Sequence, residues 1–224
     1  MGQYGLIFDV DGVIADTEGV NARASIRVFA EFFGVDNVRR EDFEAGIGAG
    51  AEAYVQAAAT IHGLVLSAEQ VEKATHLRQQ YFLEIIKAEP IDAFGGVLEL
   101  IDQAMARDDI RVAIATSSTY EKSSAVLDSV GINYSRLVYI TGDMMQHKKP
   151  DPELFLLAAE RIGISPAKCV VIEDAPNGVA AAKAAGAKCI AVTNTTTAAE
   201  LADADIVCKS LEQIDLCTIT DLLK

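Results

Sequence analysis

The chain has 224 residues, half of them hydrophobic, which is enough to bury the core of one domain or of one domain that carries an insertion. Its formal charge of -14 argues against binding to DNA, RNA or anionic lipid, because the field of the protein would repel phosphate groups. No apolar run reaches the roughly 18 to 20 residues that cross a bilayer, and residues 1–4 lack the basic and apolar regions of a signal peptide, so we expect a cytoplasmic protein with no membrane partner.

The first predicted element is a buried strand over residues 4–8, an apolar run that is too short for a typical helix and ends in Asp9-Val10-Asp11-Gly12. The next stretch, residues 17–88, follows helical periodicity and contains no convincing strand. Within it, Ser67-Ala68-Glu69-Gln70 resembles a capping box at the start of a helix. We therefore predict a small all-helical domain of residues 17–88, inserted after the first strand of a main domain.

The rest of the main domain, residues 89–224, alternates between strand and helix patterns. Short runs rich in β-branched residues predict strands over 111–115, 137–140, 169–172, 189–192 and 206–208. Helical patterns cover 96–106, 120–130, 152–162 and 177–185, and Gly163 and Gly186 follow the last two in positions typical of C-caps. This alternation predicts an α/β fold with a parallel sheet, formed by residues 1–16 and 89–224. Ligands of such open sheets bind at the carboxyl ends of the strands.

The four cysteines all lie in the last quarter of the chain, and three of them fall in predicted strands. They are Cys169, Cys189, Cys208 and Cys217. No CxxC spacing indicates a metal site, so we expect reduced thiols in the core rather than disulfides or metal ligands.

Asp9 and Asp11 place two carboxylates just after the first strand, where extended backbone directs alternate side chains to the same side. Two acids in such positions can divide the chemistry. One can act as a nucleophile or metal ligand, and the other can hold a proton for a leaving group. An acidic turn is the competing interpretation, because aspartate and glycine are common in turns.

Glu173 and Asp174 follow the predicted strand 169–172 and precede a helix. They could simply cap that helix and complement its dipole. Together with Asp9 and Asp11, however, they would place four carboxylates at neighbouring strand ends, where the charges repel one another unless a cation is bound. Hard oxygen ligands in that number favour Mg²⁺ over Ca²⁺ and Mn²⁺.

Two further clusters follow predicted strands. Thr116-Ser117-Ser118 offers a hydroxyl and backbone N–H groups at the start of a helix, which can either cap the helix or hold phosphate oxygens. Lys148-Lys149-Pro150-Asp151-Pro152 offers a cation in a loop before a helix, or a solvated basic pair. Each cluster alone is only moderately specific.

Taken in this order, the four clusters resemble the four motifs of the haloacid dehalogenase superfamily. These are the opening DxDGVxxDT, the threonine or serine after the second strand, the KPxP lysine and the late ED pair. The resemblance covers essentially the whole chain, and the helical insert is similar to the small cap of the phosphoglycolate phosphatase and β-phosphoglucomutase branch. It implies a Rossmann-like α/β core and a Mg²⁺-dependent phosphatase that acts on a small phosphorylated metabolite.

The resemblance also implies a role for each motif residue. Asp9 would attack phosphorus and carry an aspartyl phosphate, while Asp11 would protonate the leaving alcohol and then activate water. Thr116, the Ser117 N–H and Lys149 would hold the phosphoryl oxygens. The resemblance further implies that Mg²⁺ binds the Asp9 carboxylate, the Asp11 backbone carbonyl and Asp174, with Glu173 as a direct or outer-sphere partner. Asp11 also separates the chain from true dehalogenases, which lack this second acid.

Two positions depart from the β-phosphoglucomutases. Asn21 stands where those enzymes carry a histidine on the first cap helix, and Ala49 stands where an arginine grips the second phosphate. Hydrolysis is therefore favoured over a mutase reaction, although other basic residues of the insert remain alternatives for the missing cation. They are Arg23, Arg39, Arg40, Lys73 and Arg78. Gly48 and Ala49 lie in a glycine-rich loop, residues 46–50, that either sets substrate size or is an ordinary turn between helices.

A non-catalytic phosphate-binding protein on the same fold is a further alternative. The intact set of Asp9, Asp11, Lys149 and Asp174 argues against it. The sequence predicts neither the physiological substrate nor the oligomeric state.

Overall fold

The computed structural model describes residues 3–46 and 50–224. They divide into two compact units, a core unit of residues 1–16 and 91–224 and a helical unit of residues 17–90. The sequence predicts the second boundary between residues 88 and 89. The boundary lies two residues later because the last helix of the helical unit continues to Ala88 and the Glu89 N–H still donates to the Ile85 carbonyl.

The regular elements are numbered in chain order. The strands are β1 Tyr4–Phe8, β2 Ile110–Ala115, β3 Val138–Ile140, β4 Cys169–Glu173, β5 Lys188–Val192 and β6 Ile206–Cys208. The helices are α1 Glu18–Val28, α2 Ala51–Ile61, α3 Ala68–Ala88, α4 Val97–Met105, α5 Tyr120–Ser129, α6 Glu153–Ile162, α7 Pro176–Ala184 and α8 Leu216–Leu222. A π-helical turn, Phe29–Phe33, continues α1, and a 3₁₀ segment covers Arg40–Gly46.

The six strands form one parallel sheet in the order β3-β2-β1-β4-β5-β6, which confirms the predicted α/β fold. β1 is buried on both faces: Leu6, Ile7 and Phe8 have no exposed surface. Successive side chains point to opposite faces, and Ile7 packs with Phe155 of α6 and Val179 of α7. This double burial explains why the parallel strands are continuous apolar runs in the sequence.

The register of β1 determines which polar residues meet at the carboxyl edge of the sheet. Phe8 lies opposite Ile114 of β2 and Ile172 of β4, and the Asp9 N–H donates to the Ile172 carbonyl at 3.1 Å. Asp9 is therefore level with the last residues of both neighbouring strands. The strand order reverses between β1 and β4, which is where open α/β sheets bind their ligands.

The chain leaves the core unit and returns to it at adjacent points. Ala15 forms an isolated antiparallel bridge with Ala93, and the Phe94 N–H donates to the Ile14 carbonyl at 2.8 Å. These contacts lie within the core unit, on either side of the inserted residues 17–90.

The helical unit has its own aromatic core. Phe29 and Phe43 are fully buried with ring centroids 5.8 Å apart, and the Phe43 ring stacks on Tyr54 at 4.7 Å. The predicted capping box is confirmed at the start of α3. Ser67 Oγ accepts from the Gln70 N–H at 3.2 Å, and Gln70 Oε1 accepts from the Ser67 N–H at 2.9 Å.

All four cysteines are free thiols, and those of β4, β5 and β6 are buried, as predicted. The expectation of a core thiol is wrong for Cys217, which is exposed on the short helix α8. Among the described residues, no helix has both the length and the apolar character that a membrane span requires.

We expect Ser67→Ala to lower the free energy of unfolding by about 1 kcal/mol, because the start of α3 loses its side-chain acceptor. Ser67→Asp, which keeps an acceptor, should stay close to the parent protein. Urea denaturation followed by circular dichroism measures both variants. Equal stability of Ser67→Ala and the parent would show that the cap contributes nothing.

Candidate active site

Asp9 follows β1 directly and lies buried against the side chain of Lys149. The Lys149 ammonium donates to Asp9 Oδ1 at 2.7 Å and also to Glu173 Oε1. The side chains of Asp9, Lys149 and Glu173 are only 7%, 9% and 1% exposed. The neighbouring Lys148 is exposed to solvent. The lysine that directly precedes Pro150 is therefore the one that faces the acids.

The second oxygen of Glu173 fixes the turn that leads into α7. Glu173 Oε2 accepts hydrogen bonds from the N–H groups of Asp174 at 2.8 Å and Ala175 at 3.0 Å. The carboxylate lies so close to α7 that a Cβ atom at Gly178 would collide with it. Both oxygens of Glu173 are thus engaged, and a side chain at position 178 would displace them.

Asp174 is held by the loop that follows β5. The Thr195 hydroxyl donates to Asp174 Oδ2 and lies 3.2 Å from the Asp174 carbonyl oxygen. From the same loop, Asn194 Nδ2 donates to the Gly12 carbonyl at 2.8 Å. Gly12 has a φ of 79°, and a Cβ atom there would collide with the Asp174 carboxylate. The turn after Asp11 and the loop after β5 therefore position Asp174 together.

The carboxylate of Asp11 has different partners from that of Asp9. Ser118 Oγ donates to Asp11 Oδ2 at 2.6 Å, and the Lys122 ammonium donates to Asp11 Oδ1 at 2.9 Å. The side chains of Lys122 and Asp11 are 16% and 29% exposed. The two acids of the Asp9-Val10-Asp11 segment are thus held by two different lysines.

The loop after β2 is anchored on both sides of Ser117. Thr116 is fully buried, its N–H donates to the Ile140 carbonyl at 3.0 Å, and its Oγ1 accepts from the Ser118 N–H at 3.1 Å. The Ser118 carbonyl accepts from the Gly142 N–H at 2.8 Å. Ser117 between these anchors is exposed, so its backbone lies at the surface of a well-fixed turn.

The buried acids carry more negative charge than one lysine offsets. Burial raises the pKa of Asp9 to about 7; the Lys149 charge opposes this rise, and the charges of Glu173 and Asp11 add to it. Burial and then the charges of Glu173 and Asp9 also raise the pKa of Asp174 well above its usual range. Burial alone would lower the pKa of Lys149, but Asp9 and Glu173 outweigh it and raise that pKa.

This donor set fits a divalent cation. The buried carboxylates outnumber the cationic side chains that contact them. Carboxylate oxygens are hard ligands, which Mg²⁺ prefers. Among the described residues, Asp9, Asp11, Glu173 and Asp174 do not bring three carboxylate oxygens within 4.8 Å of one another. Both oxygens of Glu173 are already engaged, which leaves Asp9 and Asp174 as the buried carboxylates that could hold a cation.

Elsewhere in the part of the chain that the structure describes, His147, Asp151 and Glu153 bring three ligand atoms within 4.8 Å. Hydrogen bonds around the start of α6 explain this group. Glu153 accepts from the N–H groups of Gln146 at 3.0 Å and His147 at 2.7 Å, and Asp151 accepts from the Glu153 N–H at 3.0 Å. These three residues therefore cap the start of α6.

The structure brings together the predicted residues of the core unit at one edge of the sheet. They are Asp9, Asp11, Thr116, Ser117, Lys149, Glu173 and Asp174. The predicted specificity residues lie elsewhere in the chain. Asn21 is in α1 of the helical unit, and Gly48 and Ala49 lie outside the described residues. Their role stays a prediction.

Sequence reasoning missed three side chains, of which Thr195 and Lys122 hold the acids Asp174 and Asp11, while Asn194 holds the Gly12 carbonyl in the turn beside them. Asn194 and Thr195 follow β5, so the same signal of polar residues after a buried strand could have found them. Lys122 follows no strand. Its spacing of four residues from Ser118 places both on one side of the turn that begins α5, but this spacing predicts no contact with Asp11.

Comparisons with known proteins give one matching family model and several relatives. The family model described as haloacid dehalogenase-like hydrolase matches residues 5–186. The chain is 31% identical over 191 residues to fructose-1-phosphate phosphatase YqaB of Escherichia coli, covering 81% of this chain and 92% of that protein. It is 34% identical over 200 residues to the chloroplastic protein SUPPRESSOR OF QUENCHING 1 of Arabidopsis thaliana, but spans only 19% of that protein. The crystal structure of CbbY from Rhodobacter sphaeroides in complex with phosphate superposes with a TM-score of 0.84 at 27% identity, covering 97% of this chain and 99% of that one.

The raised pKa of Asp9 predicts how stability varies with pH in protein freed of divalent cations. The folded state binds this proton more tightly than the unfolded chain, so protonation stabilises the fold at low pH. The free energy of unfolding should fall by about 2 to 3 kcal/mol from Asp9 alone as pH rises from about 5 to about 8. Urea denaturation in EDTA at several pH values measures the slope.

Asp9→Asn should flatten this slope, and Asp109→Asn, which changes a half-buried acid paired with Arg107, should leave it unchanged. An unaltered slope in Asp9→Asn would show that Asp9 does not titrate in this range.

Proposed function

We propose that this protein, which belongs to the haloacid dehalogenase-like hydrolase family and is a phosphatase of that family, hydrolyses a small phosphate ester through an aspartyl phosphate on Asp9 with Mg²⁺ as cofactor. The observation that carries this proposal is the 2.7 Å contact between Lys149 and Asp9 at the carboxyl edge of the sheet. The similarity to a fructose-1-phosphate phosphatase supports a phosphorylated carbohydrate as the substrate class. The acidic charge of the chain supports a small-molecule substrate. The free thiols support a location in the cytoplasm.

In the first step, an Asp9 carboxylate oxygen attacks phosphorus while the bond from phosphorus to the alcohol oxygen breaks. Lys149 keeps Asp9 in place and offsets the charge of the phosphoryl group. Asp11 gives its proton to the departing alcohol oxygen, which would otherwise leave as a costly alkoxide. The products of this step are the free alcohol and an aspartyl phosphate.

In the second step, Asp11, now ionised, takes a proton from water as the water oxygen attacks phosphorus. The bond from phosphorus to the Asp9 oxygen breaks, which returns the carboxylate and releases inorganic phosphate. Division of the reaction into two displacements lets one acid serve as general acid and then as general base.

The loop after β2 is the proposed cradle for the phosphoryl oxygens. The Thr116 hydroxyl and the Ser117 N–H would donate to these oxygens, and Lys149 supplies the cation. Thr116 is buried and hydrogen-bonded on both sides, so the cradle is fixed before substrate arrives. Fixed donors stabilise developing charge without a reorganisation cost.

Mg²⁺ would be held by the carboxylates of Asp9 and Asp174 and by the backbone carbonyl of Asp11. Glu173 is assigned to the outer sphere, because Lys149 and two backbone N–H groups already occupy its oxygens. When bound, the ion neutralises charge on the phosphoryl group and on the carboxylates. Thr195 orients Asp174 for this role.

A sugar-phosphate mutase of the β-phosphoglucomutase type is the alternative. Such an enzyme must grip a second phosphate, and Asn21 and Ala49 replace the histidine and arginine that serve the mutases. Arg23, one candidate substitute, pairs with Glu89 at 2.7 Å. Hydrolysis therefore remains favoured. Sugar-phosphate isomerisation that outruns phosphate release, and that needs a bisphosphate activator, would establish the mutase instead.

Asp9→Asn should lower Mg²⁺-dependent phosphate release from sugar phosphates by at least about 1,000-fold, because the variant lacks the nucleophile. Asp102→Asn, which changes an exposed acid on α4, should keep the parent rate. Rapid quenching of the parent protein should also trap a covalent phosphate that hydroxylamine releases. A folded parent protein that is inactive on a broad panel of phosphate esters would refute the enzyme and support a phosphate-binding protein.

Thr195→Val should weaken Mg²⁺ binding by about 10- to 100-fold, because Asp174 loses the hydroxyl that orients it. Thr195→Ser, which keeps the hydroxyl, should bind Mg²⁺ like the parent. Isothermal titration calorimetry with Mg²⁺ alone measures both affinities without reference to activity. If Thr195→Val bound Mg²⁺ as tightly as the parent, the hydroxyl would have no part in the site.

A further inference from the structure

Lys122 lies outside all four sequence motifs, yet its ammonium is 2.9 Å from the carboxylate of Asp11. The partners are more than 100 residues apart in the chain. Only 16% of the Lys122 side chain is exposed, so the pair is better shielded from water than an ordinary surface ion pair.

The contact is part of a triangle of side chains. Ser118 Oγ donates to the other oxygen of Asp11 at 2.6 Å, and the Lys122 ammonium lies 3.4 Å from Ser118 Oγ. Each oxygen of Asp11 therefore has its own donor. Two separate donors restrict the rotation of a carboxylate more strongly than one donor does, which fixes the direction in which Asp11 presents its oxygens.

The two donors are themselves anchored. The Ser118 N–H donates to Thr116 Oγ1, and the Ser118 carbonyl accepts from Gly142. The Lys122 N–H donates to the Thr119 side chain, which caps α5, at 3.4 Å. The triangle is thus built on the same loop that contains Thr116, next to the proposed phosphoryl cradle.

We propose that Lys122 is a positioning residue that, together with Ser118, holds the Asp11 carboxylate beside the departing alcohol oxygen. This inference rests on the proposed function, in which Asp11 protonates the alcohol. In this role Lys122 acts through Asp11, so its removal affects the reaction where the leaving group needs a proton.

This role predicts a dependence on the leaving group. An alkyl phosphate, such as fructose 1-phosphate, leaves as an alcohol that must be protonated, whereas p-nitrophenyl phosphate leaves as a stable phenolate. The ratio kcat/KM contains only the steps up to release of the alcohol or phenol. It therefore reports the acid role of Asp11 without the later hydrolysis of the aspartyl phosphate.

Lys122→Met should lower kcat/KM for fructose 1-phosphate by about 10- to 100-fold, within the range of general acid catalysis, and should change kcat/KM for p-nitrophenyl phosphate by less than about threefold. Lys122→Arg should restore most of the loss. The matched control is Lys183→Met on α7, which removes another lysine–aspartate pair, the 2.7 Å contact between Lys183 and Asp205. This control should leave kcat/KM unchanged for both fructose 1-phosphate and p-nitrophenyl phosphate.

Equal losses on the two substrates, or no loss on either, would overturn the role of Lys122. Circular dichroism and urea denaturation check that each variant is folded. Failure of the proposed function can be told apart from failure of the positioning role, because Asp9→Asn would then retain activity whatever the effect of Lys122→Met. An inactive Asp9→Asn with an unaltered substrate ratio in Lys122→Met would reject only the positioning role.

Discussion

The ammonium of Lys149 between Asp9 and Glu173 is the interaction on which the rest of the site depends. It joins the ends of β1 and β4 to the loop before α6, so one cation ties together three segments that are distant in sequence. Removal of one partner from such a buried pair leaves an uncompensated charge, which typically costs about 3 to 5 kcal/mol. One ammonium cannot also balance Asp174. Burial, and then the negative charges of Glu173 and Asp11, raise the pKa of Asp9, and the proposed divalent cation would offset that excess of negative charge.

Most of the core unit could be predicted because buried parallel strands leave uninterrupted apolar runs. The strand over residues 4–8 has the predicted bounds, and the other five differ from prediction by one residue at most at either end. Helix α8 escaped prediction because Leu216–Leu222 spans only two turns, too few for a periodicity to stand out. The π-helical turn Phe29–Phe33 escaped because its hydrophobic spacing resembles that of an ordinary helix.

The site was predictable where residue types recur in a specific order along the chain, most of them at strand ends. Asp9, Lys149 and Asp174 belong to motifs whose order along the chain is specific. Lys122 carries no such signal, because its place near Asp11 depends on the turn that begins α5 and on the register of β1 against β2. Thr195 follows the buried strand β5, which is a signal of the same kind, but it lies in a run of threonines, and the run does not indicate which hydroxyl contacts Asp174.

The bridge between Ala15 and Ala93 has a consequence for how the chain tolerates change. Because the two crossing points are already side by side in the core unit, the chain between them begins and ends at almost the same place. The entropic contribution to the free energy of closing such a loop grows only with the logarithm of its length, by about 0.6 kcal/mol for each doubling. Residues 17–90 can therefore be lengthened, shortened or exchanged over evolution at little thermodynamic cost to the sheet, which leaves the buried acids at its carboxyl edge in place while the inserted sequence diversifies.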